Sequence, residues 1–379
     1  MKNICIVTAV PATVNAFLRE HASLLSQYYQ ITIVTNLDAG LLFELPANVN
    51  LHSIPIKRSI NLFSDLVSLW KLIFFFRRQK FDLILSVTPK AGLLSSIAGC
   101  FNFIPIRIHW FTGQVWATKK GIKRKFLKVM DKILASCITD ALVDSHSQKT
   151  FLYDEGILKK KTGNVLGQGS ISGVDTNKFK FDSVVRAELR AELNIDLRDK
   201  VILFLGRLNH DKGVYDLIQA FEKLQNNQNV HLVLVGPDEE NVEDNFKSTE
   251  SFSSKNIHFI GHTNCPEKWM SMADIFALPS YREGFGTSVI EAASIGLPSI
   301  VSRIYGLTDA VQENVTGLMH KPGNIQEIRS LIEQLLEHDE LRNELAENAQ
   351  ARVLSSFKQK DVSELLLHFF NKKLDRETV

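Results

Sequence analysis

The sequence predicts an α/β protein built from two Rossmann-like domains, each a parallel sheet with helices on both faces. Its length of 379 residues favours two domains over one. Short β-rich runs alternate with helical or loop segments through the first half, and the same alternation restarts in the second half. Hydrophobic residues make up 45% and charged residues 23%, so both halves can bury a core.

The predicted strands are short and β-rich, as in parallel sheets buried on both sides. In the first half they lie at 3–10, 31–35, 49–53, 83–87 and 106–109, and in the second half at 201–205, 230–235, 257–260, 275–278 and 298–301. Leu, Ile and Phe recur at helical spacing through 325–373, which predicts a helical tail.

The domain limits follow from a change of composition between the halves. A Gly/Ser-rich segment at 167–175 and a charged stretch at 179–198 indicate a linker, which we place near residue 180. The predicted domains are therefore 1–180 and 181–356. The segment 357–379 is expected to be a C-terminal helix that returns to the first domain.

The chain is expected to be cytoplasmic. Its four cysteines, Cys5, Cys100, Cys137 and Cys265, form no C-x-x-C pair, which argues against a disulfide framework or a thiolate metal site. The apolar run near the start is too brief for a signal sequence, and the charge-free stretch 91–106 is too short and too polar to span a bilayer.

Charge is distributed unevenly despite a net charge of +2. Residues 1–180 carry 23 Lys and Arg against 11 Asp and Glu, and the rest carries 21 against 31, so the halves are about +12 and −10. The first half is therefore expected to face an anionic partner: a lipid surface, a pyrophosphate or a nucleic acid. Nucleic acid is disfavoured because no helix-turn-helix, zinc-finger or RNA-binding signature accompanies the basic residues.

Two loops after predicted strands carry candidate chemistry, since ligands of parallel sheets bind at the carboxyl ends of the strands. Residues 279–291 read as a strand end, a turn containing Gly284 and Gly286, and a helix start that offers N–H groups to a phosphate. Glu283 and Glu291 bracket this turn, where both could bind hydroxyl groups. Taken alone, they could equally be a solvated loop residue and a charge near a helix N-terminus.

The second loop, 204–213, brings two cations to one strand end. Arg207 can bind a diphosphate bidentately, and Lys212 can bind it as a point charge. A solvated surface loop is the alternative interpretation.

These features resemble the family 4 retaining glycosyltransferases of the GT-B fold, in which two Rossmann-like domains face each other across a central cleft. The resemblance rests on Arg207 with Lys212, the Glu283 to Glu291 spacing, and the motifs at 279–280 and 284–286. It extends over nearly the whole chain, with the more specific motifs at 203–317. The segment 108–121 is similar to a bacterial subgroup that makes capsule and O-antigen repeat units.

The resemblance implies a role for each matching residue. Arg207 and Lys212 would hold the donor diphosphate, Glu283 the hydroxyls of the transferred sugar, and Glu291 the ribose. His109 would contact the sugar near the reacting centre, although a lone histidine is otherwise more typical of a core. The remaining donor-binding positions are Gly206, Gly284, Phe285, Gly286 and Thr287. The loop 9–15 departs from the paired glycines common in the family, and Thr13 and Asn15 are its candidate contacts.

The implied reaction is front-face displacement with retention at the reacting carbon, without metal or cofactor. Arg207 and Lys212 would stabilise the departing diphosphate, which itself serves as the base. The sequence contains no Asp-x-Asp motif and no clustered His or Cys, which disfavours a metal-dependent transferase. The other hypotheses are a sugar-nucleotide epimerase, a phosphorylase, and a non-catalytic nucleotide-sugar-binding partner.

The basic first half suggests where the acceptor lies. The stretches 70–80 and 119–128 mix apolar residues with cations, as helices lying on an anionic membrane do. The alternative is that the aromatic residues of the first stretch belong to the core and that the lysines are merely solvated. The membrane or acceptor residues are expected to be Lys119, Lys120, Lys123, Arg124 and Lys125. The expected partners are a UDP-linked nucleotide sugar and a polyprenyl-diphosphate-linked sugar at the inner membrane face.

Overall fold

The computed structural model describes residues 1–40, 44–57, 61–159, 162–224, 227–248 and 256–375. They form two compact units, one comprising Met1–Gly173 with Gln359–Val379 and the other Val174–Lys358. The chain passes from the first unit to the second after Gly173 and returns after Lys358, whereas the sequence predicted these limits at residues 180 and 356. Within the described ranges, no helix combines the length and apolar character needed to cross a bilayer.

The first unit contains a seven-stranded parallel sheet in the order β3-β2-β1-β4-β5-β6-β7. Its strands are β1 Asn3–Val7, β2 Gln30–Thr35, β3 Asn50–Ser53, β4 Leu83–Val87, β5 Ile106–Phe111, β6 Asp140–Val143 and β7 Gly163–Asn164. Its helices are α1 Pro11–Thr13, α2 Arg19–Leu25, α3 Leu62–Gln79, α4 Pro89–Phe101, α5 Gly121–Cys137, α6 His146–Asp154 and, from the end of the chain, α15 Gln359–Asp375.

The second unit contains a six-stranded parallel sheet in the order β10-β9-β8-β11-β12-β13. Its strands are β8 Lys200–Leu205, β9 Val230–Val235, β10 Ile257–Gly261, β11 Ile275–Leu278, β12 Ser299–Ser302 and β13 Gly317–His320. Its helices are α7 Ser183–Glu192, α8 Val214–Glu222, α9 Val242–Lys247, α10 Pro266–Met272, α11 Thr287–Ile295, α12 Leu307–Ala310, α13 Ile325–Glu337 and α14 Asp339–Ser356.

The prediction of two Rossmann-like parallel sheets is confirmed. The central strands are mostly apolar and are buried along their length, as in β4 and β9, because helices cover both faces of each sheet. In the second sheet, chain order reverses direction between β8 and β11. This topological switch point is where open α/β sheets bind ligands, outside the carboxyl ends of the strands.

Several strand limits differ from the prediction. β1 ends at Val7 rather than at residue 10, because Pro11 fixes the backbone for the first turn of α1. β5 continues past His109 to Phe111. The strands β6, β7 and β13 were not predicted, since each has four residues or fewer and no clear alternation.

The charged stretch 179–198 is not simply a linker, because it contains α7. Arg186 and Arg190 on this helix both bind Asp274, each with a nitrogen to oxygen distance of 2.7 Å. The Arg190 side chain is fully buried, and its Nη1 also donates to the Asp199 carbonyl at 2.7 Å. These bonds fix α7 onto the second unit.

The last helix packs in the first unit. Leu366 and Phe370 of α15 belong to the same apolar cluster as residues of β1 and β2. Ser363 Oγ lies 2.9 Å from His21 Nδ1 on α2, and Lys373 forms an ion pair with Asp140 at the start of β6.

Candidate active site

The loop after β8 holds the two predicted cations. Arg207 is the second residue after the strand, and Lys212 ends a 3-10 turn, His210–Lys212. Asn209 caps this turn by accepting the Lys212 backbone N–H at 3.1 Å. Gly213 has a positive φ of 69°, and a Cβ there would lie 2.0 Å from the Pro279 carbonyl oxygen. Only glycine therefore allows the β8 loop to approach the β11 loop this closely.

The loop after β11 meets the first loop through Glu283. Lys212 Nζ donates to the Glu283 carboxylate, and Ser280 Oγ donates to the same oxygen at 2.9 Å. The side chains of Lys212 and Glu283 are mostly buried, with 19% and 12% exposed. The structure thus brings together two of the predicted residues at the switch point of the second sheet.

Arg207 belongs to the same network by way of the loop after β9. Its Nη1 donates to Glu239 Oε2 at 2.8 Å, and Asn209 Nδ2 donates to that oxygen at 2.7 Å. Asn209 also connects this pair to Lys212, because its side chain accepts the Lys212 backbone N–H. Both cations of the candidate diphosphate site are therefore paired with carboxylates in this structure.

Backbone geometry shapes the turn into α11. Gly286 has φ 87° and precedes the helix, and a Cβ on it would lie 2.5 Å from Leu307. Gly284 is approached so closely by Gly306 that a Cβ on Gly306 would lie 2.6 Å from the Gly284 carbonyl oxygen. Phe285 is buried and tilts against Phe357 at 5.3 Å, so it can offer a ligand only its backbone. In the first turn, the Val289 N–H donates to the Gly286 carbonyl at 2.9 Å, whereas the N–H groups of Thr287 and Ser288 have no acceptor within the helix.

Glu291 lies in the second turn of α11 and is partly accessible. Burial raises its pKa to about 7; the nearby Lys178 opposes this rise, and Glu267 adds to it. Lys178 Nζ also lies 3.5 Å from the Glu267 carboxylate. A carboxyl group that titrates near neutral pH can either accept or donate a hydrogen bond to a sugar hydroxyl.

His109 lies inside β5, two residues before its end, rather than at the strand end as expected. Its ring is 2% exposed, and Nδ1 shares a 2.9 Å hydrogen bond with Ser86 Oγ. A Cβ on Gly92 of α4 would lie 2.3 Å from the ring, so this glycine makes room for the histidine. Burial lowers the pKa of His109 to about 3, which keeps the ring neutral. These contacts favour a packing role between β5 and α4.

The first loop also differs from expectation. Thr13 is buried within α1, and its N–H donates to the Val10 carbonyl at 3.1 Å. Asn15 lies in the π-helical segment Val14–Leu18 that follows. Most of the stretch 9–15 is therefore helical, and the Thr13 side chain is withdrawn from solvent.

The predicted basic residues near α5 divide into two groups. Arg124 and Lys128 both bind Glu155, at 2.6 and 2.5 Å, and lie over the Trp116 ring. Arg124 is therefore an internal ion-pair partner, which argues against its predicted membrane role. The other predicted cations are Lys119, which is partly buried, and Lys120, Lys123 and Lys125, which are exposed.

Sequence reasoning missed several polar residues of this network. Asn209 stands in the predicted loop, where its position before a short helical turn could have identified it as a cap. Tyr281 donates to Asp216 at 2.6 Å and stacks on His210 with ring centroids 5.1 Å apart. Glu239 follows β9 rather than β8, so the sequence around Arg207 gave no indication of the contact between the two residues. Among the described residues, no cluster of three or more His, Cys, Asp or Glu is placed to hold a metal ion.

The two parallel sheets and the cation-carboxylate network at the switch point are typical of a glycosyltransferase, and the chain belongs to the group 1 glycosyl transferases. The model of that family, "Glycosyl transferases group 1", matches residues 185–352.

Among curated relatives, the chain is 35% identical over 322 residues to the capsular polysaccharide biosynthesis glycosyltransferase CapM of Staphylococcus aureus, covering 84% of each chain. It is 27% identical to the N,N'-diacetylbacillosaminyl-diphospho-undecaprenol alpha-1,3-N-acetylgalactosaminyltransferase of Campylobacter jejuni, covering 77% of this chain and 78% of the relative. It is 24% identical to the UDP-Gal:alpha-D-GlcNAc-diphosphoundecaprenol alpha-1,3-galactosyltransferase of Escherichia coli, covering 90% and 88%.

Solved structures share the fold. Sucrose-phosphate synthase of Thermosynechococcus elongatus superposes with a TM-score of 0.82 at 18% identity, covering 99% of this chain and 100% of that one. HepE of Anabaena, solved in complex with UDP and glucose, gives a TM-score of 0.79 at 18% identity, covering 98% and 100%. The GT-B fold expected from the sequence is confirmed.

Proposed function

We propose that this glycosyltransferase moves a hexose or N-acetylhexosamine from a UDP-linked donor to a polyprenyl-diphosphate-linked sugar, during assembly of a bacterial surface polysaccharide. The observation that carries the proposal is the hydrogen-bonded network that links Arg207 to Lys212 and Glu283 beside the switch point of the second sheet. The named relatives support the acceptor class, since two of them act on undecaprenol-diphosphate sugars. A UDP donor is supported by the name of the E. coli relative.

In the proposed mechanism the protein positions two substrates and stabilises charge. Arg207 and Lys212 bind the diphosphate and neutralise the charge that develops on it as the bond to the sugar breaks. The acceptor hydroxyl attacks from the same face, and the departing phosphate oxygen takes its proton, which gives retention without a metal ion. Glu283, held by Lys212 and Ser280, accepts hydrogen bonds from hydroxyls of the transferred sugar.

The remaining donor contacts complete the pocket. Glu291 binds the ribose hydroxyls, and the backbone of the 284–287 turn binds phosphate and sugar oxygens at the N-terminus of α11. The β8 loop contributes the backbone of Gly206. We assign His109 to packing rather than to sugar contact, because its ring is buried against α4.

We also propose that the first unit rests on an anionic membrane. Two exposed apolar stripes support this. The α3 stripe consists of Leu62, Phe63, Leu66, Trp70 and Phe74, each more than half exposed, and the α5 stripe consists of Ile122, Phe126, Val129 and Ile133. Monomeric soluble proteins rarely expose contiguous apolar surfaces of this kind.

The stripes also have the charges that an anionic leaflet attracts. Lys71, Arg77 and Arg78 flank the α3 stripe, and Lys123 and Lys125 flank the α5 stripe. Both helices pack against α4, which places them in one layer of the first unit. The third aromatic of the 74–76 run points inward, since Phe76 is 1% exposed while Phe74 is 58% exposed.

Release of nucleoside diphosphate from a panel of nucleotide sugars tests the proposal, with and without a membrane lipid extract. Lipid-dependent release from a UDP sugar is expected, and it should be lost in Arg207→Ala and Glu283→Ala. Donor consumption that needs no lipid and yields an isomerised nucleotide sugar would favour an epimerase. Donor binding without any turnover would favour a non-catalytic partner.

A further inference from the structure

Glu239 is held against the cation that is proposed to bind the donor diphosphate. A single oxygen, Oε2, accepts from Arg207 Nη1 at 2.8 Å and from Asn209 Nδ2 at 2.7 Å. Both partners of the ion pair are partly open to solvent, with 40% of the Arg207 side chain and 38% of the Glu239 side chain exposed. A ligand arriving from solvent can therefore reach this pair.

The backbone fixes this arrangement as well as the side chains. Leu208 N–H donates to the Pro237 carbonyl at 2.9 Å, and Glu239 N–H donates to the Leu208 carbonyl at 3.1 Å. Behind them, Gly236 has φ 144°, and a Cβ on it would lie 1.9 Å from the Gly206 carbonyl oxygen. The loops after β8 and β9 are thus joined next to Arg207, and the approach of Glu239 follows from the path of the main chain.

The neighbouring acidic residues have other partners. Asp238 accepts backbone N–H groups of Val242 and Glu243 at the start of α9, at 2.9 and 3.1 Å. Glu240 accepts the His210 backbone N–H at 2.9 Å. Glu239 is the member of this acidic run whose carboxylate bonds to a cation of the β8 loop.

We propose that Glu239 is a built-in counter-anion for Arg207, which the donor diphosphate must displace. The inference rests on the proposed role of Arg207 in donor binding. A guanidinium binds carboxylate and phosphate through the same N–H groups, so the two anions compete for it. A carboxylate that remained beside the diphosphate would also repel it.

The competition has a consequence for turnover. Glu239 weakens the binding of donor and of released nucleoside diphosphate alike, because both offer the same phosphates to Arg207. It acts through Arg207 and is therefore a positioning residue. Its removal should lower the donor KM and strengthen product inhibition by a similar factor, without raising kcat.

Calorimetric titration of the full-length protein with UDP, and with uridine as a ligand lacking phosphate, tests this proposal. Glu239→Gln should bind UDP more tightly by about three- to tenfold, the range expected when a half-exposed ion pair and a like-charge repulsion are removed. Uridine binding should not change. The matched control is Glu243→Gln, which removes the same charge from the same acidic segment but pairs with Lys247 at 2.6 Å.

A double-mutant cycle with Arg207→Met separates competition from a general structural effect. Glu239→Gln should give no gain in UDP affinity when Arg207 is absent. Unchanged or weaker UDP binding by Glu239→Gln, with wild type binding UDP normally, would overturn the counter-anion role alone. Failure of the wild type to bind UDP, GDP or ADP would instead contradict the proposed function.

Discussion

Lys212 and Glu283 form a mostly buried ion pair that joins the loop after β8 to the loop after β11. The two strands are neighbours in the sheet, and their loops lie on either side of its switch point. The pair places a cation suited to phosphate next to a carboxylate suited to sugar hydroxyls. A nucleotide sugar has these two groups side by side, at the bond that a glycosyltransferase breaks.

The first prediction concerns Glu291 and pH. Burial raises its pKa to about 7, so the folded chain keeps a proton that the unfolded chain loses above about pH 4.5. The stability due to this proton is complete below pH 4.5 and is lost as the pH rises through 7. As the pH rises from 5 to 8, wild type should therefore lose about 2 kcal/mol of unfolding free energy relative to Glu291→Gln, which lacks this titrating carboxyl group. The figure includes a reduction for the partial exposure of the side chain.

Urea unfolding at the two pH values measures this difference. Glu347→Gln, which changes an exposed carboxylate on α14, is the control and should keep a constant offset from wild type. An equally constant offset for Glu291→Gln would contradict the raised pKa.

The second prediction concerns the close approach of the β8 and β9 loops. Gly236→Ala would place a Cβ 1.9 Å from the Gly206 carbonyl oxygen. It should lower the free energy of unfolding by more than about 3 kcal/mol or displace the Arg207 loop. Thermal unfolding and UDP titration measure the two effects.

Gly261→Ala provides the matched control, since Gly261 also has a positive φ, 77°, but no atom lies within 4 Å of its virtual Cβ. It should cost only about 1 kcal/mol, through backbone strain. Equal losses in the two variants would mean that the close contact at Gly206 is unimportant.

The third prediction separates packing from catalysis at His109. His109→Asn should lower the free energy of unfolding by about 1–3 kcal/mol, because it disturbs a buried ring hydrogen-bonded to Ser86 and fitted against Gly92. The rate of sugar transfer per folded molecule should stay within about threefold of wild type. A hundredfold fall in kcat at unchanged stability would restore His109 to the reacting centre.

The fourth prediction concerns the α3 stripe. The paired change Trp70→Ser and Phe74→Ser should reduce flotation with vesicles containing phosphatidylglycerol, because both rings are more than half exposed. Leu354→Ser, which changes an exposed apolar residue on α14 of the other unit, should float like wild type.

Changing Lys123 and Lys125 to Glu should weaken flotation of the protein with anionic vesicles, and its flotation with neutral vesicles should not change. Absence of wild-type protein from both kinds of vesicle would rule out the proposed membrane contact.

Much of this site could be predicted from the sequence because its principal residues stand in two continuous loops. Arg207 and Lys212 follow one strand and Glu283 follows another, so strand prediction and the rule for parallel sheets were enough to group them. The fold was predictable for a similar reason, since the strands that flank the site contain apolar runs of four or five residues.

What the sequence could not predict depends on contacts between distant segments. The burial of His109 depends on Gly92, which lies on a different helix. The pairing of Glu239 with Arg207 depends on how two loops approach over 32 positions of sequence. Thr13 was expected in an open loop, but the apolar residues around it pack as a helix that begins at Pro11.

The most direct measurement follows labelled sugar from a UDP donor into the lipid phase, with a polyprenyl-diphosphate-linked sugar as acceptor. Wild type should transfer the label with retained configuration, and Glu283→Ala and Lys212→Ala should each lose at least about a hundredfold in kcat/KM while remaining folded. Undiminished transfer by both variants, or no transfer to any lipid-linked sugar by a wild-type protein that binds UDP sugars, would contradict the account.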